Sequence, residues 1–115
     1  AITLRTGGRY FAAPDAWVAS RALGAPGPSD EAGSFEHPGV WTGSDLYVWT
    51  LSSSGEASAG RLDPQRDRWY PADPPPQAAR RRESASVWVD CGLYVVGGRD
   101  VRRWEFTREV VRWAP

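Results

Sequence analysis

The sequence predicts an all-β fold of repeated, four-stranded antiparallel units, the build of a β-propeller section. Two recurring spacings and one composition bias carry that prediction. Gly8-Arg9-Tyr10 is followed, after six intervening residues, by Trp17, and Gly60-Arg61-Leu62, again after six, by Trp69. A reduced third copy keeps the anchor Phe106 and the aromatic Trp113. Between these, Val40-Trp41 with Leu46-Tyr47-Val48-Trp49 returns as Val87-Trp88 with Leu93-Tyr94-Val95-Val96. A period of roughly 40–50 residues with several short strands per unit is that of a propeller blade. The composition agrees: Gly 12 and Pro 10 supply turns, Trp numbers 7 and Met 0, so the apolar bulk comes from rings and Val.

Residues 1–18 hold the latter half of a unit, with its strands inside Thr3–Val18. The first complete unit spans 35–71. Its first strand is expected over Pro38–Trp41, and Thr42-Gly43-Ser44-Asp45 has turn composition. Leu46–Trp49 returns as a second strand; its unbroken apolar character predicts cover on both faces. Ser52–Ser58 reads as a loop and Gly60–Asp63 as the start of a third strand. Asp63-Pro64-Gln65-Arg66-Asp67 is a turn, with Asp capping backbone donors and Pro fixing φ; Arg68-Trp69-Tyr70 begins the outer strand. The second complete unit spans 84–115. It repeats the order: Ser84–Val89, a turn at Asp90-Cys91-Gly92, Leu93–Val96, then Gly97-Gly98, a third strand over Val101–Phe106 and a fourth over Val110–Trp113. Arg102, Arg103 and Arg108 are expected to project toward solvent or a neighbouring surface. The connectors Ala19–Ser34 and Ala72–Arg82 are rich in Pro, Ala, Gly and charge and show no helical period. The run Arg80-Arg81-Arg82 is read as a solvated crossing.

Charge excludes some functions. Lys+Arg 14 balances Asp+Glu 14, which gives no electrostatic case for nucleic acid or an anionic membrane surface. No stretch is long and apolar enough to insert in a membrane. The single Cys91 forms no internal disulfide and leaves the compartment open: secreted, periplasmic and cytoplasmic locations all fit. The opening residues lack a leader pattern, and a chain trimmed ahead of Ala1 would read the same.

His37-Pro38-Gly39-Val40-Trp41-Thr42-Gly43, Leu46-Tyr47-Val48-Trp49, Gly60-Arg61-Leu62-Asp63-Pro64 and Asp67-Arg68-Trp69 resemble the kelch repeat in its bacterial, galactose-oxidase-like form. The resemblance covers nearly the whole chain and implies four-stranded blades. It also implies departures. Thr50-Leu51 stands where the family has Gly-Gly, so the first complete unit must turn differently there, whereas the second keeps Gly97-Gly98. Ser34 and Ser84 replace a family Arg and His, Phe11 a family Asp, and Thr107-Arg108 a family Asp-Pro.

No residue set points to catalysis. His37 and Cys91 lie in different units, too far apart in the predicted fold for a nucleophilic pair, and do not have zinc spacing. Asp30-Glu31 are adjacent loop carboxylates. Asp63 and Asp67 are read as turn caps, since the ligand series of a calcium loop is absent. Gly97-Gly98 does not lead into a phosphate-binding helix. No metal or cofactor is expected. Trp17, Trp69 and Trp113 recur at one place, and Trp41 and Trp88 at another, which predicts packing. Trp49 and Trp104 are less regular and are the candidate stacking platforms for a sugar or peptide. Arg81, at the family's repeated arginine, is the candidate ligand contact; its structural reading is an arginine binding carbonyls of the adjoining blade.

The resemblance implies a non-catalytic protein-binding or structural module. The alternatives are a section of a sugar-processing or oxidising propeller enzyme, or a carbohydrate-binding module. A ring takes at least four blades and the sequence supplies about two and a half. The expected partners are therefore further blades of a longer protein, another protein, or further copies of the chain, with carbohydrate as the alternative ligand.

Overall fold

The computed structural model describes residues 7–26, 39–52, 54–100 and 103–115. His37, Asp30-Glu31, Arg102 and the expected strand starts at Phe35–Pro38 and Val101 lie outside the described residues. The fold is all-β, built of several small antiparallel sheets. Among the described residues there is no α-helix, only a 3-10 turn at Gln77–Ala79 in the second connector.

The first sheet is a hairpin of β1 (Gly8–Phe11) and β2 (Ala16–Ala19), with Tyr10 opposite Trp17 and Gly8 opposite Ala19. Its turn puts Asp15 at φ 50°, left-handed backbone that Asp tolerates through its short polar side chain.

The second sheet has four strands in sequential order: β3 (Val40–Trp41), β4 (Leu46–Leu51), β5 (Ala57–Asp63) and β6 (Arg68–Pro71). Its turns form as their composition dictates. Thr42 donates its backbone N–H to the Asp45 carbonyl at 3.0 Å and its hydroxyl to Asp45 Oδ1 at 2.7 Å. Asp63 Oδ1 accepts the backbone N–H groups of Gln65 at 2.9 Å and Arg66 at 3.1 Å. These bonds, with the Arg66 side chain beside them, hold the Asp63 carboxyl below its ordinary range. β4 runs on through Thr50-Leu51 because neither residue can turn as a Gly pair would. β5 accordingly begins at Ala57, where the small Ser58 and Ala59 sit opposite Thr50 and Trp49.

Beyond the second connector, β7 (Arg81–Arg82) pairs with β10 (Arg99–Asp100). β8 (Ala85–Val89), β9 (Gly92–Val96) and β11 (Val110–Trp113) form a three-stranded sheet in the order β11-β9-β8. Asp90 and Cys91, at φ 45° and 62°, make the β8–β9 turn, both in the left-handed region that a two-residue hairpin requires. The expected third strand over Val101–Phe106 is not in this sheet among the described residues. Arg99–Asp100 goes to β7 instead, and a tight loop closes by Asp100 N–H to Glu105 O at 3.1 Å and Trp104 N–H to Asp100 O at 2.9 Å. β11 then pairs directly with β9. Its register equates it with β5: Arg112 lies opposite Tyr94 as Arg61 lies opposite Tyr47, and Trp113 opposite Leu93 as Leu62 opposite Leu46. Trp113 therefore occupies the place of Leu62, not that of Trp69.

The core lies between the four-stranded sheet and the three-stranded sheet. Tyr47, Trp49 and Leu51 alternate inward along β4 and meet Leu93 and Val95, all at 1% exposure or less. Leu46, Val48 and Thr50 on the other face are half-buried, so cover on both faces is partial. The Tyr47 ring packs 6.4 Å from Trp88 and 6.0 Å, edge-on, from Trp113. Each fully buried side chain of this size contributes about 2–3 kcal/mol. Tyr47 also donates its hydroxyl to the Asp73 carbonyl at 2.8 Å, and its burial pushes the phenol well above its ordinary pKa. Trp69, Trp88 and Trp113 are half-buried, in keeping with packing. Trp17 and Trp41 are not: they stand 74% and 55% exposed.

Candidate binding surface

Arg80-Arg81-Arg82 is not a solvated run. Arg81 and Arg82 are each 4% exposed, because each guanidinium is drawn onto backbone carbonyls at strand ends that have a second lone pair to offer. Arg81 Nη1 donates to Glu109 O at 2.9 Å and Gly97 O at 3.3 Å, and Nη2 to Glu109 Oε2 at 2.9 Å. It thereby ties β7 to the end of β9 and the start of β11. Arg82 Nη2 donates to Ser52 O at 3.1 Å, bridging to the second sheet. Arg80 Nε donates to Pro75 O at 2.9 Å.

Gly98 makes this crossing possible. Its φ is +89°, and a Cβ there would lie 2.5 Å from the Arg82 carbonyl. Only glycine lets β10 come so close to β7. Gly97, at φ +65°, and Gly98 together make the turn between β9 and β10.

The loop after β10 projects rings beside these arginines. Trp104, at φ 58°, is 59% exposed, and Phe106 is 74% exposed. The Arg99 guanidinium lies 5.4 Å from the Trp104 ring centre and 5.2 Å from that of Phe106; Arg82 lies 5.9 Å from Trp104. Arg99 also pairs with Glu83. Next to this cluster is a cleft of about 300 Å³, lined by Arg81, Asp100, Arg103, Phe106, Thr107 and Glu109 among others. Arg103 and Arg108 are exposed, as expected.

Of the three candidate site residues, Arg81 lines this cleft and Trp104 stands over Arg82 and Arg99 in the ring cluster that shares Phe106 with it. Arg81 is committed to carbonyls, the structural alternative. Trp104 offers an accessible ring. Trp49 is corrected: at 1% exposure it is a core residue of β4, and its alternation with Tyr47 and Leu51 signals this. Cys91 is exposed and unpaired in its turn. Among the described residues, no three His, Cys, Asp or Glu side chains gather as metal ligands would, and no helix is long and apolar enough to cross a membrane.

A second surface was missed by the sequence reading, which gave Asp67 only a capping role. Asp67 is 8% exposed and receives the first hairpin and its connector. Arg9 Nε lies 3.7 Å from Asp67 Oδ1, and Arg9 Nη1 donates to Pro64 O at 3.2 Å. Asp67 Oδ2 accepts the Arg21 backbone N–H at 3.2 Å, while Trp69 Nε1 donates to Arg21 O at 3.1 Å. The signal was present: Arg9 and Arg61, and Asp15 and Asp67, recur at fixed distances from the repeated Trp.

Neither protein-family models nor curated proteins supply a match to this chain.

Proposed function

We propose that the chain is a section of a kelch-like β-propeller acting as a non-catalytic protein-binding or structural module. One observation carries this reading: the hairpins β1–β2 and β5–β6 share a register, and the first docks on the second through Arg9, Arg21 and Asp67. Units that repeat one build and contact the next unit are how a propeller or other repeat array grows. The apolar side chains left bare on the first hairpin, Tyr10, Phe11, Trp17 and Val18, suit cover by another unit or a protein partner. Trp104 and Phe106 form the candidate contact for a partner, with rings enriched at protein interfaces and arginines beside them. The exposed Trp104 ring also favours a second reading, a carbohydrate-binding module, because sugars stack on accessible indoles.

The serial docking is tested by a double-mutant cycle with Arg9→Ala and Asp67→Ala in equilibrium unfolding. A coupling of at least about 0.5 kcal/mol is expected for groups in contact; additive effects would remove the docking argument. A glycan-array and turnover screen with Trp104→Ala as control decides the rest. Turnover of any sugar overturns the non-catalytic reading, and glycan binding lost in the variant selects the carbohydrate module.

A further inference from the structure

We infer that the hairpin β1–β2 carries an open copy of the seat that β5–β6 uses to hold a connector, and that its occupant is the connector of a further repeat of this build. The inference rests on the repeat reading above and names the partner of that surface.

The filled seat consists of Gly60, Asp67 and Trp69. It holds both backbone groups of one residue: Arg21 gives its N–H to the Asp67 carboxylate and takes the Trp69 indole N–H on its carbonyl. The segment then runs close over the sheet. A Cβ on Gly60 would lie 3.1 Å from Pro26 Cδ, and one on Gly24, at φ +83°, 3.2 Å from Trp69 Cβ. The occupant is thus a short turn-containing segment with the chemistry of Arg21–Pro26, its turn closed by Ala25 N–H to Ala22 O at 3.0 Å with Gly24 at φ +83°.

The same three residue types stand at the same places in the first hairpin. Gly8 lies opposite Ala19 as Gly60 lies opposite Pro71, and Tyr10 opposite Trp17 as Leu62 opposite Trp69. Asp15 and Asp67 both have φ 50°. Nothing described sits on this copy. Trp17 is 74% exposed, and a Cβ on Gly8 would meet only Trp17 and Val18 of its own hairpin. Tyr10 Oη donates to Asp15 Oδ1 at 2.5 Å, which leaves the other oxygen for an incoming N–H. The only described segment of the required chemistry, Arg21–Pro26, is already seated on Trp69. Among the described residues a second copy therefore offers no unseated segment of this chemistry, and a further repeat of the build does.

The probe is the capped peptide acetyl-Arg-Ala-Leu-Gly-Ala-Pro-amide, titrated into the full chain with its indoles labelled with 15N. Trp17→Phe assigns the Trp17 indole resonance. A saturable shift of that resonance is expected, with half-saturation in the roughly millimolar range, because the peptide lacks the effective concentration that tethering gives. Asp15→Ala should weaken it by about fivefold or more. No saturable shift, or an equal one in Asp15→Ala, overturns the inference. A Trp17 shift that follows chain concentration without peptide assigns the seat to a second copy and overturns it too. The Trp69 indole separates the two levels. If its N–H exchanges slowly while the peptide is silent, only this inference fails. If it exchanges as fast as that of Trp17, the docking of one repeat on the next fails as well.

Discussion

Replacing Arg81 by Ala should cost about 2–3 kcal/mol of folding stability. The side chain is 5% exposed and touches three acceptors, so the loss is worked out acceptor by acceptor. A hydrogen bond from a charged donor contributes about 1.5–3 kcal/mol, most of it recovered by solvent when the acceptor is open. Glu109 Oε2 is open, since that side chain is 76% exposed, so the ion pair itself contributes under about 1 kcal/mol. Glu109 O keeps a second donor, the Gly97 N–H at 3.0 Å. What remains is the weakened pairing of Gly97 O and the space left by the buried side chain beyond Cβ. Urea unfolding followed by tryptophan fluorescence reads the effect. With m of about 1–3 kcal/mol/M, the midpoint should fall by roughly 1–2 M. Arg81→Lys, with a single point of donation, should recover about half, and Glu109→Gln should cost under about 1 kcal/mol. A change below about 0.5 kcal/mol for Arg81→Ala would refute the clamp and return Arg81 to the candidate ligand contacts.

Gly98→Ala should lower stability by at least about 2 kcal/mol, through strain at φ +89° and the clash with the Arg82 carbonyl, whereas Gly97→Ala, with 3.6 Å to its nearest neighbour, should cost about 1 kcal/mol in the same thermal melt. Trp49→Ala should cost about 3–5 kcal/mol and Trp104→Ala under about 1, and near-equal losses in calorimetry would undo the assignment of Trp49 to the core. The raised Tyr47 pKa sets an alkaline limit. The unfolded phenol ionises near 10, so this contribution is intact below that pH and is lost as pH rises above it, by up to about 1.4 kcal/mol per unit. Tyr47→Phe should flatten that decline, and a wild-type stability unchanged between pH 9 and 11 contradicts the burial argument.

The legible parts of the fold were those fixed by local chemistry. The Thr42–Asp45 and Asp63–Asp67 turns carry their own hydrogen-bonding side chains, so residue type alone locates them. Gly97-Gly98 was legible for the opposite reason: without side chains both residues take positive φ freely. Burial was not local. Repeat position predicted packing for Trp17 and an accessible ring for Trp49, but Trp49 alternates inward on a covered strand and Trp17 lies on a hairpin with nothing described above it. Arg81 and Arg82 misled in the other direction. Three consecutive arginines suggest solvent, yet a guanidinium becomes buried where carbonyls at strand ends still have a lone pair to accept it, and that supply depends on tertiary arrangement.

The register of β11 shows how one repeated spacing can outvote a better one. Phe106 and Trp113 reproduce the distance between Leu62 and Trp69, and the bulk of the rings makes that match conspicuous. Arg112-Trp113-Ala114-Pro115 against Arg61-Leu62-Asp63-Pro64 is the match the sheet adopts, because Arg112 lies opposite Tyr94 as Arg61 lies opposite Tyr47. The physical difference is what each pairing does with Trp113. In the adopted register its ring faces inward and closes edge-on against Tyr47 at 6.0 Å, filling the core between the two sheets. A strand over Val101–Phe106 in that place would instead put Phe106 where Trp113 now packs and leave the larger ring outside. It would also forfeit the pairing of Arg99–Asp100 with β7, and with it the approach of β10 that Gly98 permits. Arginine and proline positions thus mark the third strand of a repeat in this chain better than aromatic spacing does. They hold backbone geometry and cross-strand contact, whereas a Trp serves wherever a cavity is large enough.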